Sequence, residues 1–411
     1  MSPFLQLAFV LSIILLAAKA AGYLSTRLGQ PSVLGELLVG LLLGPSLLDL
    51  THLYIITDTH LTEVVIELGE LGVLILMFLA GLELHFSELI RNVRVSVFSG
   101  FLGVVTPVGL GWLLGILFGL DGQQAFFLGL SLGATSVSIS AQTLMELKVL
   151  RSRVGLGLLG AAVLDDILVI LLLSTFLALI TSTTGGLVSI LIVFGRMLLF
   201  LLLSAAFGLW VLPYLTRKIN ELSISYGLTT LALVVMLVYG LAAELIGEMA
   251  AITGTFLAGL MFARTPEKLQ FEDNLQAVAY SFFVPIFFVT IGLSIDLHTL
   301  EISALWISLA VAVIAILGKL LGAGLGARLA SFSWRESLQL GIGMVSRGEV
   351  GLIVAKVGLD AGLLNSVAFS AVIAMVLITT LVTPPLLRTA FKQPAAKPVV
   401  IAETESSLGG E

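Results

Sequence analysis

The sequence predicts an all-α polytopic membrane protein: thirteen transmembrane helices, two inverted repeats of six around a linker helix, and two discontinuous helices that cross. Three observations predict it. Apolar residues fill 58% of the 411 positions and charged residues only 11%, where a soluble domain carries about 25% charge; mean hydropathy is +1.13. The apolar residues fall in continuous Leu-rich runs without period-two alternation, which favours helices over barrel strands. Loop charge also changes sign from one run to the next. No cysteine is present, which excludes thiolate metal sites, iron–sulfur clusters, disulfides and a Cys nucleophile. A net charge of −6 without any basic run argues against a nucleic-acid partner. The solvent, and the first partner, is the lipid bilayer.

About 20 apolar residues cross roughly 30 Å of hydrocarbon. Candidate spans 1 to 13 lie at 3–21, 33–50, 67–84, 94–118, 124–146, 153–181, 186–215, 223–242, 249–264, 278–294, 302–330, 336–358 and 366–390. Loops after odd-numbered spans carry Arg27; Arg91 and Arg94; Lys148, Arg151 and Arg153; Arg217 and Lys218; Arg264 and Lys268; Arg328 and Arg335; and Arg388, Lys392 and Lys397. That places 15 of the 20 basic residues on one side. Even-numbered loops hold Asp49, Asp58, Glu63, Asp121, Glu244, Glu248, Asp296 and Asp360, and no Lys or Arg. The positive-inside rule puts the C-terminus in the cytoplasm and the N-terminus outside, in a cell (inner) membrane. Residues 1–390 form the membrane domain: repeat one at about 3–181, the linker helix at 186–215, repeat two at about 223–390. No basic region precedes the first apolar run, so it reads as a retained span rather than a signal peptide. The polar, Pro/Ala-rich segment 391–411 reads as a short disordered cytoplasmic tail.

The repeat rests on matched strings. GELLVGLLLG (Gly35–Gly44) in span 2 corresponds to GTFLAGLMFA (Gly254–Ala263) in span 9. MFLAGLELH, ending at His85, corresponds to FVTIGLSIDLH, ending at His298. Spans 4 and 11 share a GxxxGxxxG face: Gly111, Gly115 and Gly119 against Gly318, Gly322 and Gly326. Matched spans are always seven apart, and an odd offset inverts the second copy across the membrane, a transporter architecture. Locally these glycines serve close helix packing. The GxGxxG at Gly155–Gly160 has no preceding strand and reads as packing, so no nucleotide or other cofactor is expected and the chain is not read as an enzyme.

Few charges remain inside the membrane. Asp165 and Asp166 sit near the centre of span 6, Lys319 near that of span 11, and Arg347 and Glu349 near that of span 12, in GMVSRGEVG. Thr135, Ser136, Ser138 and Ser140 sit at the same depth in span 5, in GATSVSISAQ. A mid-membrane charge costs at least about 2.5–3.5 kcal/mol, so it usually marks an ion path. The polar, Gly-containing stretches of spans 5 and 12 predict helix breaks at the midplane. Freed carbonyls and the hydroxyls of Thr135, Ser136 and Ser138 are hard ligands suited to a small cation. Asp165 and Asp166 point about 100° apart, so one can face the ion and the other a neighbouring helix, with Lys319 the natural ion-pair partner. Arg347 and Glu349 compensate the dipole ends of half-helices. Glu36, Glu67, Glu70, Glu83 and Lys356 fall near span ends and are expected to reach the interface. Arg196 in span 7 has no evident partner, and His52, His60, His85 and His298 suggest no metal cage.

Together GATSVSISAQTLMEL, GAAVLDDILVILLL, the lysine of ILGKLLGAG and GMVSRGEVGLIVA resemble the bacterial monovalent cation:proton antiporters. The closest branch joins sodium/proton exchangers to the glutathione-gated potassium efflux systems. The resemblance covers about residues 3–390. It implies a homodimer and a core domain moving against a scaffold in an elevator-type alternating-access cycle. It also implies that Asp166 is the main ion-binding, proton-carrying carboxylate, that Asp165 pairs with Lys319, and that Thr135 and Ser136 lie in the first unwound segment. A transient Na⁺ site would then draw on Asp166, Asp165 and Thr135. The potassium systems typically carry Gln in place of the first aspartate and a cytoplasmic nucleotide-binding domain. Asp165 and the short tail therefore favour an ungated exchanger of Na⁺, with K⁺ or Li⁺ as alternatives, for H⁺. A sodium-coupled organic anion carrier on a similar fold is the rival; the site reads as too small and too acidic for it.

Overall fold

The structure, a computed structural model, describes residues 2–84, 92–180, 186–222, 224–295, 298, 305–360 and 362–392; at some helical positions, Glu349 among them, it describes the backbone alone. His85, Arg91, Asp296, Lys397 and the predicted tail from residue 393 lie outside the described residues. Every regular element among them is helical. Among the described residues ten helices are long and apolar enough to cross a membrane, and two shorter helices are also apolar. The protein is a multi-pass, all-helical membrane protein.

Helix α1 (Pro3–Arg27) is capped by Ser2, whose hydroxyl accepts from the Leu5 amide. Helix α2 (Ser32–Leu43) follows Pro31 and stops at Gly44, which is extended ahead of Pro45; a residue before proline is pushed out of the helical region. The span expected at 33–50 is thus helical only to residue 43 and continues through a 3-10 turn, Leu50–His52. Next come α3 (Leu61–Leu82) and α4 (Val93–Leu117), the latter around Pro107. Helices α5 (Gly122–Gly133) and α6 (Val137–Glu146) share one span, interrupted between them; Asp121 caps the first through the amides of Gln123 and Gln124. Helix α7 is Arg153–Ile180.

Helices α8 (Gly186–Ala206) and α9 (Leu212–Glu221) join through a π turn, Phe207–Val211, ahead of Pro213. After α10 (Gly227–Leu245) and the short α11 (Ala251–Phe262), helices α12 (Lys268–Val278) and α13 (Val284–Leu293) join through another π turn, Ala279–Phe283, ahead of Pro285. In both places the proline has no amide to donate and its ring crowds the preceding turn, which widens. The carbonyl of Tyr280 in the second turn accepts from Lys19 Nζ at 2.7 Å. Helix α14 is Leu305–Leu329. Helix α15 (Trp334–Gly343) starts on a Ser333–Glu336 capping box and is separated by Met344–Gly348 from α16 (Glu349–Asp360). Helix α17 (Ser366–Phe391) closes the chain under an Asn365 cap.

Two sets of helices pack within themselves. In one, α4 packs on α5, α7 and α14, while α14 also packs on α15 and α17. In the other, α2 packs on α1 and α13, and α11 on α3 and α10. Helix α6 touches both sets, meeting α2 and α3 on one side and α7 and α17 on the other. Close approach in the second set needs glycine: a Cβ on Gly40 would strike the Val289 carbonyl of α13, and one on Gly259 would strike the Phe78 carbonyl of α3. Exposed Leu16, Leu199, Trp210, Leu241 and Trp306 give the outside an apolar surface.

Two expectations change. Glu36 does not reach the interface: its side chain is 6% exposed, packed beside Gly22 of α1, because α2 is clasped between α1 and α13. Arg196 does have partners, donating to the carbonyls of Leu245 and Ile246 and pairing with Glu248. A cation at those last carbonyls neutralises the negative end of α10.

Candidate functional site

The site forms where the two interrupted spans cross. Ser136, in the gap between α5 and α6, donates its amide to the Ser346 carbonyl at 2.9 Å, and the Ser346 hydroxyl donates back to the Ser136 carbonyl at 2.6 Å. Ser140 of α6 donates to the Gly343 carbonyl at the end of α15, 2.5 Å away. The Ser136 and Ser138 hydroxyls lie 3.2 Å apart. These reciprocal bonds satisfy backbone that unwinding leaves without helical partners, which is the condition for irregular chain at membrane depth. A side chain on Gly348 would run into Ser136, so glycine permits the crossing there. Thr135 is 1% exposed, and its hydroxyl has no hydrogen-bond partner among the described residues.

Arg347 lies in the second gap and is fully buried. Its guanidinium donates to the carbonyls of Met344 and Val345 at 3.0 and 3.2 Å and to that of Ala315 in α14 at 3.3 Å. It thus places positive charge at the carbonyl end of α15. Thr380 of α17 donates to the Arg347 carbonyl at 2.6 Å. The Glu349 side chain lies outside the described residues; its backbone begins α16.

Asp165 and Asp166, adjacent on α7, meet different neighbours. Lys319 of α14 donates to Asp165 Oδ1 at 2.6 Å, and both side chains are 0% exposed. Arg347 also acts on Asp165 electrostatically. Asp165 Oδ2 has no hydrogen bond among the described residues. Asp166 turns instead toward α11, where the Thr253 hydroxyl donates to its Oδ2 at 2.9 Å. Beside this bond is a cavity of about 10 Å³, room for roughly one water-sized particle. Asp166 and Thr253 are its polar lining side chains; Met77 of α3, Val137 of α6 and Phe256 of α11 are among the apolar ones. The cavity therefore brings Asp166 to the start of α6, just past Thr135 and Ser136. Thr253 stands in the first turn of α11, where free amides and the helix dipole favour a nearby negative charge.

Sequence reading missed Thr253 and Ser346. Thr253 is one of two threonines in a short apolar helix, Thr255 being the other, and nothing in the sequence distinguishes it. Ser346 is visible in GMVSRGEVG but has no chemistry of its own until the gaps cross.

The profile of the family described as "Sodium/hydrogen exchanger, transmembrane" matches residues 11–393. The chain is 41% identical over 384 residues to the "Probable Na(+)/H(+) antiporter GerT" of Bacillus cereus, covering 93% of this chain and 99% of that one. It is 39% identical over 383 residues to the "Na(+)/H(+)-K(+) antiporter GerN" of the same organism, covering 93% and 96%. Identity to the "Na(+)/H(+) antiporter" of Enterococcus hirae is 36% over 379 residues, covering 92% and 96%. Among solved structures, the sodium proton antiporter MjNhaP1 from Methanocaldococcus jannaschii superposes with a TM-score of 0.68 at 18% identity, over 95% of this chain and 96% of that one, so the fold is shared. A profile match across almost the whole chain, with relatives above 35% identity along their full length, places the protein in the sodium/hydrogen exchanger family.

Proposed function

We propose that the protein is a secondary antiporter exchanging a monovalent cation, Na⁺ first, for protons by elevator-type alternating access. One observation carries the reading. A buried carboxylate, Asp166, lines a cavity of about 10 Å³ beside the crossing of two broken helices. A carboxylate held there can carry a proton or a cation but not both, and that competition is the exchange. Thr135, Ser136 and Ser138 supply hydroxyls; Thr135, buried with its oxygen unengaged among the described residues, is the best placed by chemistry. Asp165 and Lys319 form the adjoining ion pair, and Arg347 with Glu349 compensates the half-helix ends.

In this reading the chain has thirteen spans, two inverted repeats of six and a linker helix at 186–215, with the C-terminus cytoplasmic and two copies forming a dimer. Contacts between matched glycines support the repeat. Gly40 of span 2 meets Val289 of span 10, and Gly259 of span 9 meets Phe78 of span 3; each pair aligns with the other when the spans are matched seven apart. The domain boundary at about residue 390 and the cytoplasmic tail beyond it belong to the same proposal.

K⁺ is the second candidate cargo, because the 39%-identical relative is named for both Na⁺ and K⁺. The water-sized cavity disfavours an organic anion. Proteoliposomes with an imposed pH gradient test the proposal: Na⁺, Li⁺ and K⁺ are added in turn, with Asp166→Asn alongside. Gradient collapse by a cation in the wild type and none in the variant is the expected result. Near-normal exchange by a folded Asp166→Asn protein would remove Asp166 from the mechanism, and silence toward all three cations from pH 6 to 9 would return the organic-anion carrier to first place.

A further inference from the structure

The cavity beside Asp166 has two kinds of wall. Asp166 comes from α7, which packs with α4 and α5; Thr253 and Phe256 come from α11, which packs with α3 and α10. Thr253 is the polar side chain that α11 presents, 3% exposed, with its hydroxyl 2.9 Å from Asp166 Oδ2. The wall around it, including Ile252, Phe256 and Met77, is apolar. A cation entering at Asp166 from this side therefore meets one neutral side-chain oxygen on the α11 face.

Resting on the antiporter reading, we infer that Thr253 is a cation ligand of this exchanger, setting its apparent ion affinity from the helix set opposite Asp166. A hydroxyl suits both states of the site. It carries one rotatable donor and two acceptor lone pairs. With the site empty the hydrogen points at Asp166 Oδ2, which steadies a carboxylate taken out of water. With a cation present the hydrogen rotates away and the oxygen turns a lone pair to the ion. The spacing allows this without side-chain movement: an ion held at roughly 2.3–2.6 Å, the range of a Ca²⁺-sized cation, reaches two oxygens 2.9 Å apart together. Valine keeps the branched shape of threonine and removes only the oxygen. Serine keeps the oxygen and removes only a methyl group.

The test measures cation-dependent collapse of a pH gradient in proteoliposomes for wild type, Thr253→Val and Thr253→Ser. Thr253→Val removes both the hydrogen bond of the empty site and the oxygen that would hold the ion, so the change in affinity is the excess of the ion–oxygen contact over that hydrogen bond. Half-saturating Na⁺ should therefore rise several-fold in Thr253→Val and return close to wild type in Thr253→Ser. A purely structural threonine would lower the maximal rate or the yield of folded protein and leave half-saturation where it was. Unchanged half-saturation in Thr253→Val overturns the inference while the antiporter reading stands. Absence of exchange in wild type, or normal exchange in Asp166→Asn, overturns both. If the valine variant is not recovered folded, Thr253→Ala carries the same prediction, and Na⁺-induced thermal stabilisation in detergent reads binding without transport.

Discussion

Replacing Lys319 by methionine removes a charge from the middle of the molecule while keeping an unbranched apolar stem. Lys319 Nζ and Asp165 Oδ1 are 2.6 Å apart, with both side chains 0% exposed. At an effective dielectric of 20 their attraction is roughly 6 kcal/mol, set against several kcal/mol of desolvation for each ion. The intact pair is thus close to break-even, but one ion left alone is not: losing one partner of a buried pair costs about 3–5 kcal/mol. Asp165 then keeps only the electrostatic support of Arg347, because its Oδ2 makes no hydrogen bond among the described residues and the Arg347 guanidinium donates to three carbonyls instead. Lys319→Met and Asp165→Asn should each lower stability by about 3–5 kcal/mol, and the double variant should recover all but about 1–2 kcal/mol of it. Thermal melting of the four detergent-solubilised proteins in one buffer reads this as a thermodynamic cycle. Single-variant losses that add in the double to within about 0.5 kcal/mol would show no coupling and refute the argument. Measured beside melting, the pH dependence of exchange and the charge moved per cycle should change in Lys319→Met. If both stay at wild-type values, the pair is a packing element alone.

Three further outcomes follow from particular contacts. Gly259→Val places a branched side chain against the Phe78 carbonyl of α3; overpacking of this kind costs about 1–3 kcal/mol or more, and size-exclusion profiles of solubilised protein should show lost or broadened material. Glu146 accepts from the Ser32 amide and hydroxyl at 2.7 and 2.6 Å and from Gln142 at 3.0 Å, so α6 caps a helix that has no side-chain cap of its own; Glu146→Ala should cost about 1–2 kcal/mol, seen as lower melting and faster proteolysis between α1 and α2. At the start of α3, the hydrogen bond to Glu63 holds the exposed His60 imidazole above its ordinary value of 6.5. The stabilisation is fully present below that pH and is lost as pH rises through the folded value; Glu63→Gln should flatten this pH dependence of melting, and an unchanged slope would assign it elsewhere.

Most of the membrane architecture was legible because lipid removes alternatives. A chain this apolar must satisfy its backbone polar groups within helices, so the positions of the apolar runs place most of the helices. Polar, glycine-containing stretches inside two spans announced the gaps at Ala134–Ser136 and Met344–Gly348 for the same reason. Elements set by tertiary contact were not legible. Helix α2 ends early because Pro45 follows Gly44, and apolar content past that point masked the stop. Arg196 looked unexplained because Glu248 lies 52 residues away, at a left-handed position in the turn after α10. Glu36 looked like an interface residue because sequence gives its distance from a span end but not the helices on either side of it. Thr253 illustrates the same limit at the site itself: its meaning comes from Asp166, 87 residues earlier.

The two adjacent aspartates show how one helix can hold two carboxylates in different surroundings. About 100° of rotation separates them, and the packing assigns each to a different set of helices. Asp165 meets Lys319, and α7 and α14 both pack on α4. Asp166 meets Thr253, whose helix packs with α3 and α10. Under the alternating access proposed above, displacing one set against the other would leave the Lys319–Asp165 pair intact, because both residues would travel together, and would break the Thr253–Asp166 bond, because its partners would separate. In that proposal the electrostatic balance of the core rests on a contact that the motion would spare, while the proposed loading site rests on one that it would interrupt. A carrier that broke its internal ion pair at each crossing would add the cost of an exposed buried charge to every cycle, whereas the one proposed here would give up at Asp166 only a contact from a neutral hydroxyl.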